Sequence, residues 1–441
     1  MPVPTAPGRL IFFGHTLSML RHRVRFTSSL REHGEIIEIH LGPLRTFFLT
    51  SPALVTRILV TEGANFSKGA IFDRFRPFMG NGLVMSQGDF HRRQRRLVQP
   101  AFHRDRLASY AATMVRVARE QTAAWQDGEV RQVDDDMQRL AITVVGETLF
   151  STELGKQAIA EARRSIPIVL KEGMIRALSP KFFEHVPLIP ANRRFDSAVE
   201  RLRRIVLEVI ASWRADGEDH GDLLSMLMLA VDEDTGDRMT DQQVYDEVIT
   251  LLTAGSETSA VTLTWFFHEV ARNPEIERRI LDELDRVLAG RPVTVDDLPA
   301  LEYTRRVVTE TLRMYPIWIL MRRALTQVEI GGFPFPAGTE FMLSPYSLHF
   351  DPRYYADPEQ FDPDRWLPER AASLPKGAFV PFGTGARQCV GKSFAETEIT
   401  IVAATVLTRW RLVPVPGKPV RTKVTSAAYP DRMPMTALPR T

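Results

Sequence analysis

Phe382-Gly383-Thr384-Gly385-Ala386-Arg387-Gln388-Cys389-Val390-Gly391 holds the only cysteine of the chain. The window has the form F-x-x-G-x-R-x-C-x-G. Glycines let the backbone turn tightly and approach a flat partner closely. Arg387 offers a planar guanidinium fork suited to a carboxylate. Backbone N–H groups around the turn can hydrogen-bond the sulfur and tune it. Together these suit a loop that presents one thiolate as a metal ligand. A lone cysteine is otherwise more often a small buried hydrophobe. Two phosphate-loop patterns in the same stretch fail. Gly385 to Gly391-Lys392-Ser393 leaves one residue too many for a Walker A loop. Gly383-x-Gly385 starts a dinucleotide fingerprint, but Gln388 stands where its third glycine belongs.

The composition is that of an ordinary globular protein. The chain has 441 residues, 44% hydrophobic and 25% charged, with a net charge of +2. That length supports a large core, and the charge gives no general pull toward nucleic acid. One cysteine excludes an internal disulfide. Only eight of the 56 basic side chains are lysine. The short Leu10-Ile11-Phe12-Phe13 run is far below the ~20 apolar residues that span a bilayer, so no membrane anchor is expected. There is no repeat, low-complexity segment or long linker, which predicts a single catalytic domain over 1–441.

Working outward, alternating runs at Glu35–Ile39 and Thr46–Leu49 read as strands. Strands return at about 324–346, where Gly331-Gly332 and Pro336-Ala337-Gly338 supply turns. A β-rich lobe at about 35–65 and 324–346 is therefore expected beside a helical remainder. Residues 351–381 read as an irregular meander. The longest helix is expected from Thr240, where Thr240-Asp241-Gln242-Gln243 forms a capping-box start, to Arg272, before Asn273-Pro274. Its middle is nearly all apolar or small, which singles out the polar residues of Ala254-Gly255-Ser256-Glu257-Thr258. A glycine there costs ~1 kcal/mol against alanine, and a buried acid costs more unless paired or wet. A packing glycine and a solvated glutamate are the plainer explanation. Glu310 and Arg313 share a helix face. His91 and Arg95 do so too, within the basic run His91–Arg96.

In combination these motifs resemble the cytochrome P450 family, over nearly the whole chain and in the family's order. The resemblance implies a mainly α fold with a small β-rich lobe, and haem b between the long central helix and the cysteine loop. It implies Cys389 as iron ligand, with Phe382, Gly383 and Gly391 shaping the loop. Ala254, Gly255, Glu257 and Thr258 match the oxygen-activation motif. Gly255 would open a groove for dioxygen, Thr258 would hold a proton-donating water and Glu257 would link it to bulk protons. Glu310, Arg313 and Arg365, the last in Phe361-Asp-Pro-Asp-Arg365-Trp366, match a structural Glu–Arg–Arg network. His91, Arg95 and Arg387 would meet the haem propionates. A further partner would be Arg322 or Arg323, with Arg322 preferred from its spacing. Arg92, Arg93 and Arg96 would then face an acidic electron donor.

The implied activity is monooxygenation of a hydrophobic small molecule with O2, fed by ferredoxin and ferredoxin reductase. A cytoplasmic monomer without nucleic-acid partners is expected. Candidate pocket residues are Phe72, Phe75, Phe78, Met79, Val84, Ile317, Trp318 and Ile319, with the region near 165–190 and Ser426-Ala427. Their apolar character suits a hydrocarbon-like substrate. The overall character is similar to bacterial terpene oxygenases of the pentalenene oxygenase kind. A peroxide-driven fatty-acid hydroxylase and a haem-binding sensor are the alternatives. The Glu257-Thr258 pair argues against both.

Overall fold

The computed structural model describes residues 2–178, 190–424 and 427–440. Two compact units emerge. The first comprises Met1–Asp73, Thr309–Cys389 and Thr422–Tyr429, and the second Arg74–Val308, Val390–Arg421 and Pro430–Thr441.

The first unit is built on a five-stranded sheet. Its strands are β1 (Ile36–Leu41), β2 (Leu44–Leu49), β3 (Phe66–Lys68), β5 (Leu320–Ala324) and β6 (Glu340–Leu343), in the order β1-β2-β6-β5-β3. Only β2 and β6 run parallel. One face of the sheet buries Phe47, Leu49, Phe66 and Phe341 with Val55 and Ile58. The other buries Ile37, Ile39, Phe48 and Met342 with Met19 of the short helix α1 (Thr16–Arg21). This alternation is the period-2 pattern of a sheet covered on both sides.

Two expectations about this lobe change. Residues 52–65, inside the expected β-rich stretch of about 35–65, form helical turns. Pro52 occupies the first turn, and buried Leu54, Val55, Ile58 and Leu59 recur at helical spacing. Pro at that position is pre-organised for a helix. The chain instead re-enters the sheet at β3, which carries Lys68. The later strands begin at Leu320, earlier than the expected 324.

The second unit is helical. Its elements include α2 (Ala70–Met79, which begins in the first unit), α3 (Gly88–Val98), α4 (Val133–Leu149), α5 (Glu153–Leu178) and α6 (Pro190–Asp216). Then follow α7 (Asp241–Arg272), α8 (Glu302–Met314, which ends in the first unit) and α9 (Lys392–Leu407). A small sheet joins β4 (Glu129–Gln132), β8 (Pro434–Pro439) and β7 (Trp410–Pro414), in that order. The expected long helix is α7, 32 residues with a complete capping box between Thr240 and Gln243. At ~1.5 Å per residue it is close to 50 Å long. It packs against α4 and α9 and buries Leu263, Trp265, Phe266 and Phe267.

Candidate active site

The cysteine loop up to Cys389 lies in the first unit and is held by its own backbone. Gly383 N donates to Val380 O, Gln388 N to Gly385 O and Cys389 N to Phe382 O, all at 3.0–3.1 Å. Gly383 and Gly385 have φ of 66° and 75°, the left-handed region that favours glycine. A Cβ on Gly385 would also collide with Leu59 O. The fold of the loop leaves the Cys389 residue exposed. Val380 N donates to His349 Nε2 at 3.1 Å, while His349 Nδ1 lies 3.0 Å from Arg313 O. The ring therefore accepts on Nε2 and donates from Nδ1, the neutral tautomer. Burial pushes its pKa down to about 3.

Glu310, Arg313 and Arg365 come together behind this loop's anchor. Arg313 grips Glu310 through two bonds of 2.9 Å, and both side chains are 0% exposed. Arg365 Nε reaches the same carboxylate at 3.5 Å. Trp366 Nε1 and Asp362 N also donate to it, at 2.9 and 3.0 Å. The remaining Arg313 donors meet His349 O and Gln360 O. A buried pair is tolerable only when such extra bonds satisfy it.

The same unit gathers three cations. The register of β3 on β5 sets Lys68 directly opposite Arg322. Like charges opposite one another destabilise a strand pair. Burial, then the charges of Arg322 and Arg387, hold the Lys68 ammonium well below its ordinary range. Burial and the Arg387 charge lower Arg322 to about 10, and burial lowers Arg387 to about 10. The neighbouring Arg323 is engaged elsewhere, by Glu340 at 2.5 Å and Asp73 at 2.9 Å. Three desolvated cations in mutual repulsion fit a bound dianion, and the two propionates of a haem are such a group. Sequence reading missed Lys68. Its only signal was being one of eight lysines, in a strand not recognised as one.

In the second unit, α7 is buried along most of its length. Ala254 and Thr258, one turn apart on one face, are exposed, and Gly255 and Glu257 are half-buried. Thr258 Oγ1 donates to Ala254 O at 2.8 Å. A Cβ on Gly255 would point at Val145 Cγ2, 3.0 Å away on α4. The glycine thus has a packing role in the approach of the two helices. One turn beyond Gly255, Ser259 Oγ donates to Glu398 Oε2 of α9 at 2.5 Å. Burial raises Glu398 to about 8, so it carries its proton at neutral pH.

The segment before α3 is clamped to α7. Asp246 Oδ2 accepts from Asn81 N at 2.8 Å, and Glu247 Oε2 from Leu83 N at 2.9 Å. Gly80 has φ of 67°, and a Cβ there would collide with Asp246. This fixes half-buried Val84 and buried Met79, whose sulfur receives Thr253 Oγ1 at 3.8 Å. Phe75, Phe78 and Phe195 form an edge-to-face series. Arg74 and Arg76 spend donors on Arg176 O and Met85 O. His91 is buried and Arg95 half-buried on α3. Arg92 pairs with Asp89, Arg93 with Asp232, and Arg96 with Asp232 and Asp234. Their charge is therefore partly offset within the unit, which the sequence did not suggest. In the first unit, Lys68 sits over the Phe72 ring. Trp318 belongs to the sheet core with Ile319 packed on it, and Ile317 bridges to Ala427. Residues 179–189 and Ser426 lie outside the described residues.

Comparison with known proteins agrees with this assembly of parts. A family profile described as Cytochrome P450 matches residues 4–432. A cyclooctat-9-en-7-ol 5-monooxygenase of Streptomyces melanosporofaciens is 43% identical, over 99% of this chain and 95% of the relative. Cyclooctatin synthase of the same organism is 41% identical over 97% and 94%. Pentalenene oxygenase of Streptomyces avermitilis is 39% identical over 97% and 95%. No described helix is long and apolar enough to cross a membrane. With a family match across nearly its whole length, the chain belongs to the cytochrome P450 family and is a haem-dependent monooxygenase.

Proposed function

We propose that this enzyme oxygenates a C–H bond of a cyclic terpene or terpenoid, drawing electrons from a ferredoxin and its reductase, with 1–441 acting as one catalytic domain. The observation that carries the substrate class is full-length similarity, at 39–43% identity, to the monooxygenase, synthase and oxygenase named above. The apolar character of Phe75, Phe78, Met79 and Val84 supports it. Bound haem supplies the oxygen chemistry itself.

The residues have distinct tasks in this reading. Cys389 ligates the iron from a loop that its glycines hold in shape, with Phe382, Gly383 and Gly391 setting its path. Lys68, Arg322 and Arg387 would hold propionate oxygens, and the family resemblance assigns His91 and Arg95 to the same group. Arg322 fills this role rather than Arg323, which already has two carboxylate partners. Thr258 directs its own proton at Ala254 O, which leaves the Oγ1 lone pairs to accept from a water. That water is held to deliver a proton to the reacting oxygen. Glu257 resupplies it from solvent. Glu310, Arg313 and Arg365 hold the loop's base and touch no substrate.

The test titrates haem-loaded protein with cyclic diterpenes, cyclic sesquiterpenes, fatty acids and macrolides, following the low-spin to high-spin absorbance shift. Ligands that shift the spectrum are then incubated with ferredoxin, reductase and NADPH. A shift and an oxygenated product with a cyclic terpene are expected. Turnover of fatty acids by peroxide alone, without a terpene response, would refute the proposal. Thr258→Ala should keep reductant consumption, raise peroxide release and lower product. Unchanged coupling in that variant would remove the proton role of Thr258.

A further inference from the structure

The three most exposed large apolar side chains of the described residues, Ile11, Phe12 and Phe13, form one tip with Leu10. Ile11 and Phe12 are 93% and 83% exposed, and Leu10 and Phe13 are 46% and 56% exposed. They cap a tight hairpin in which Leu10 and Gly14 exchange both backbone bonds at 2.9 Å. The hairpin is not a loose end. Gly14 has φ of 55°, and a Cβ there would collide with His40. Gly42 N donates to Phe13 O, His15 N to His40 O, and the His15 ring meets Ala6 O at 2.9 Å. Four consecutive apolar residues are thus held rigidly outward on the edge of the sheet. Exposed apolar groups on this scale mark an interaction site.

The segment that carries the tip is one-sided in charge along the sequence. Residues 1–31 contain five arginines, and Glu32 is the first acidic residue. The segment therefore carries +5, while the rest of the chain nets −3. Arg9, Arg21 and Arg25 are exposed, as is Leu20. Beside α1 a groove of about 690 Å³ is lined by Leu20, Arg21, Arg23, Arg25 and Lys423, with Glu359 as its one acidic residue.

We propose that this tip docks the enzyme reversibly on an anionic lipid bilayer. Ile11 and Phe12 would enter the boundary between headgroups and acyl chains, while the arginines meet lipid phosphates. A projecting apolar point next to Arg9, in a segment that carries five arginines and no acid, suits an interface that is soft, apolar inside and negative outside. A second protein would need a complementary cleft around a nearly fully exposed point. Four apolar residues cannot span a bilayer, so the attachment is peripheral.

The experiment floats haem-loaded full-length protein with vesicles of phosphatidylglycerol and phosphatidylcholine, or of phosphatidylcholine alone, at low and high salt. Binding to the anionic vesicles, weakened by salt, is expected. Ile11→Ser with Phe12→Ser should reduce partitioning at least about tenfold. Arg9→Gln, Arg21→Gln and Arg25→Gln together should reduce it about a hundredfold on anionic vesicles, at about fivefold per arginine. The thermal midpoint and haem spectrum should stay as in the parent, because these side chains are exposed. Failure of the parent to bind anionic vesicles at low salt would overturn the proposal. So would equal binding by the Ile11→Ser, Phe12→Ser protein. Concentration-dependent dimers that this variant abolishes, in a parent that ignores vesicles, would assign the tip to self-association instead and likewise overturn it.

Discussion

Glu310→Ala removes the acceptor at the centre of the best-defined buried charge network. Arg313 would keep its guanidinium at zero exposure and lose both 2.9 Å bonds. Its carbonyl contacts to His349 and Gln360 cannot neutralise it. Breaking one side of a buried pair costs about 3–5 kcal/mol. Trp366 Nε1 and Asp362 N would also be left without their acceptor, at about 1–3 kcal/mol per orphaned donor. These losses share one carboxylate and do not add, so about 4 kcal/mol is the working figure. It is a large part of the 5–15 kcal/mol that usually holds a protein together. The assay is urea unfolding of haem-loaded protein, followed by far-ultraviolet circular dichroism and by the haem absorbance in parallel. Cofactor proteins need not unfold in one step, so both midpoints are read. The decisive comparison adds Arg313→Met alone and Glu310→Met with Arg313→Met. Removing both charges should cost less than removing either, since no buried ion is stranded. Lys156→Ala, at an exposed pair with Glu153, should leave both midpoints unchanged. A loss below about 1 kcal/mol for Glu310→Ala, set against the 3–5 kcal/mol of a stranded buried ion, would refute the reasoning. Strict additivity in the double variant would do the same.

Cys389→Ser should abolish the red-shifted absorbance band of a thiolate-ligated, carbon monoxide-bound haem, and a surviving band would mean another ligand. Lys68→Met should act in opposite directions on the two forms: the haem-free protein gains stability by losing a repelled cation, while haem passes to apomyoglobin several-fold faster. Equal transfer rates would detach Lys68 from the propionates. His349 gives a pH signature. Its folded pKa of about 3 lies below the ~6.5 of an unfolded histidine. Its contribution is therefore complete above about pH 6.5 and is lost as pH falls toward 3, at up to about 1.4 kcal/mol per unit. His349→Gln keeps a donor and an acceptor, so its urea midpoint should fall less than the parent's between pH 7 and pH 5; parallel curves would contradict this.

What the sequence displayed and what it hid follow from how each feature is encoded. The cysteine loop, the central helix and the Glu310–Arg313 pair are local. Their glycines, caps and three-residue spacing are written in one stretch, although the spacing of Glu310 and Arg313 alone would equally fit an ordinary surface pair. Arg365 came only through resemblance, since nothing in the chain ties it to a carboxylate 55 positions earlier. His349, Trp366 and Lys68 had no local mark at all. His349 acts because its two ring nitrogens join Arg313 O to Val380 N, residues 67 positions apart. Lys68 acts because a three-residue strand, too short to show alternation, pairs in the register that sets it against Arg322. The Gly255 position shows the reverse limit. Its place in a motif pointed to dioxygen, whereas the contact with Val145 is a packing demand that only α4 reveals. Both constraints can act on one residue, and they separate by substitution. Gly255→Ala with Val145→Ala restores the space between the helices, so a stability loss from Gly255→Ala alone should be recovered in the pair. A defect in product formation that persists in the stable double variant would belong to the oxygen-binding face of α7.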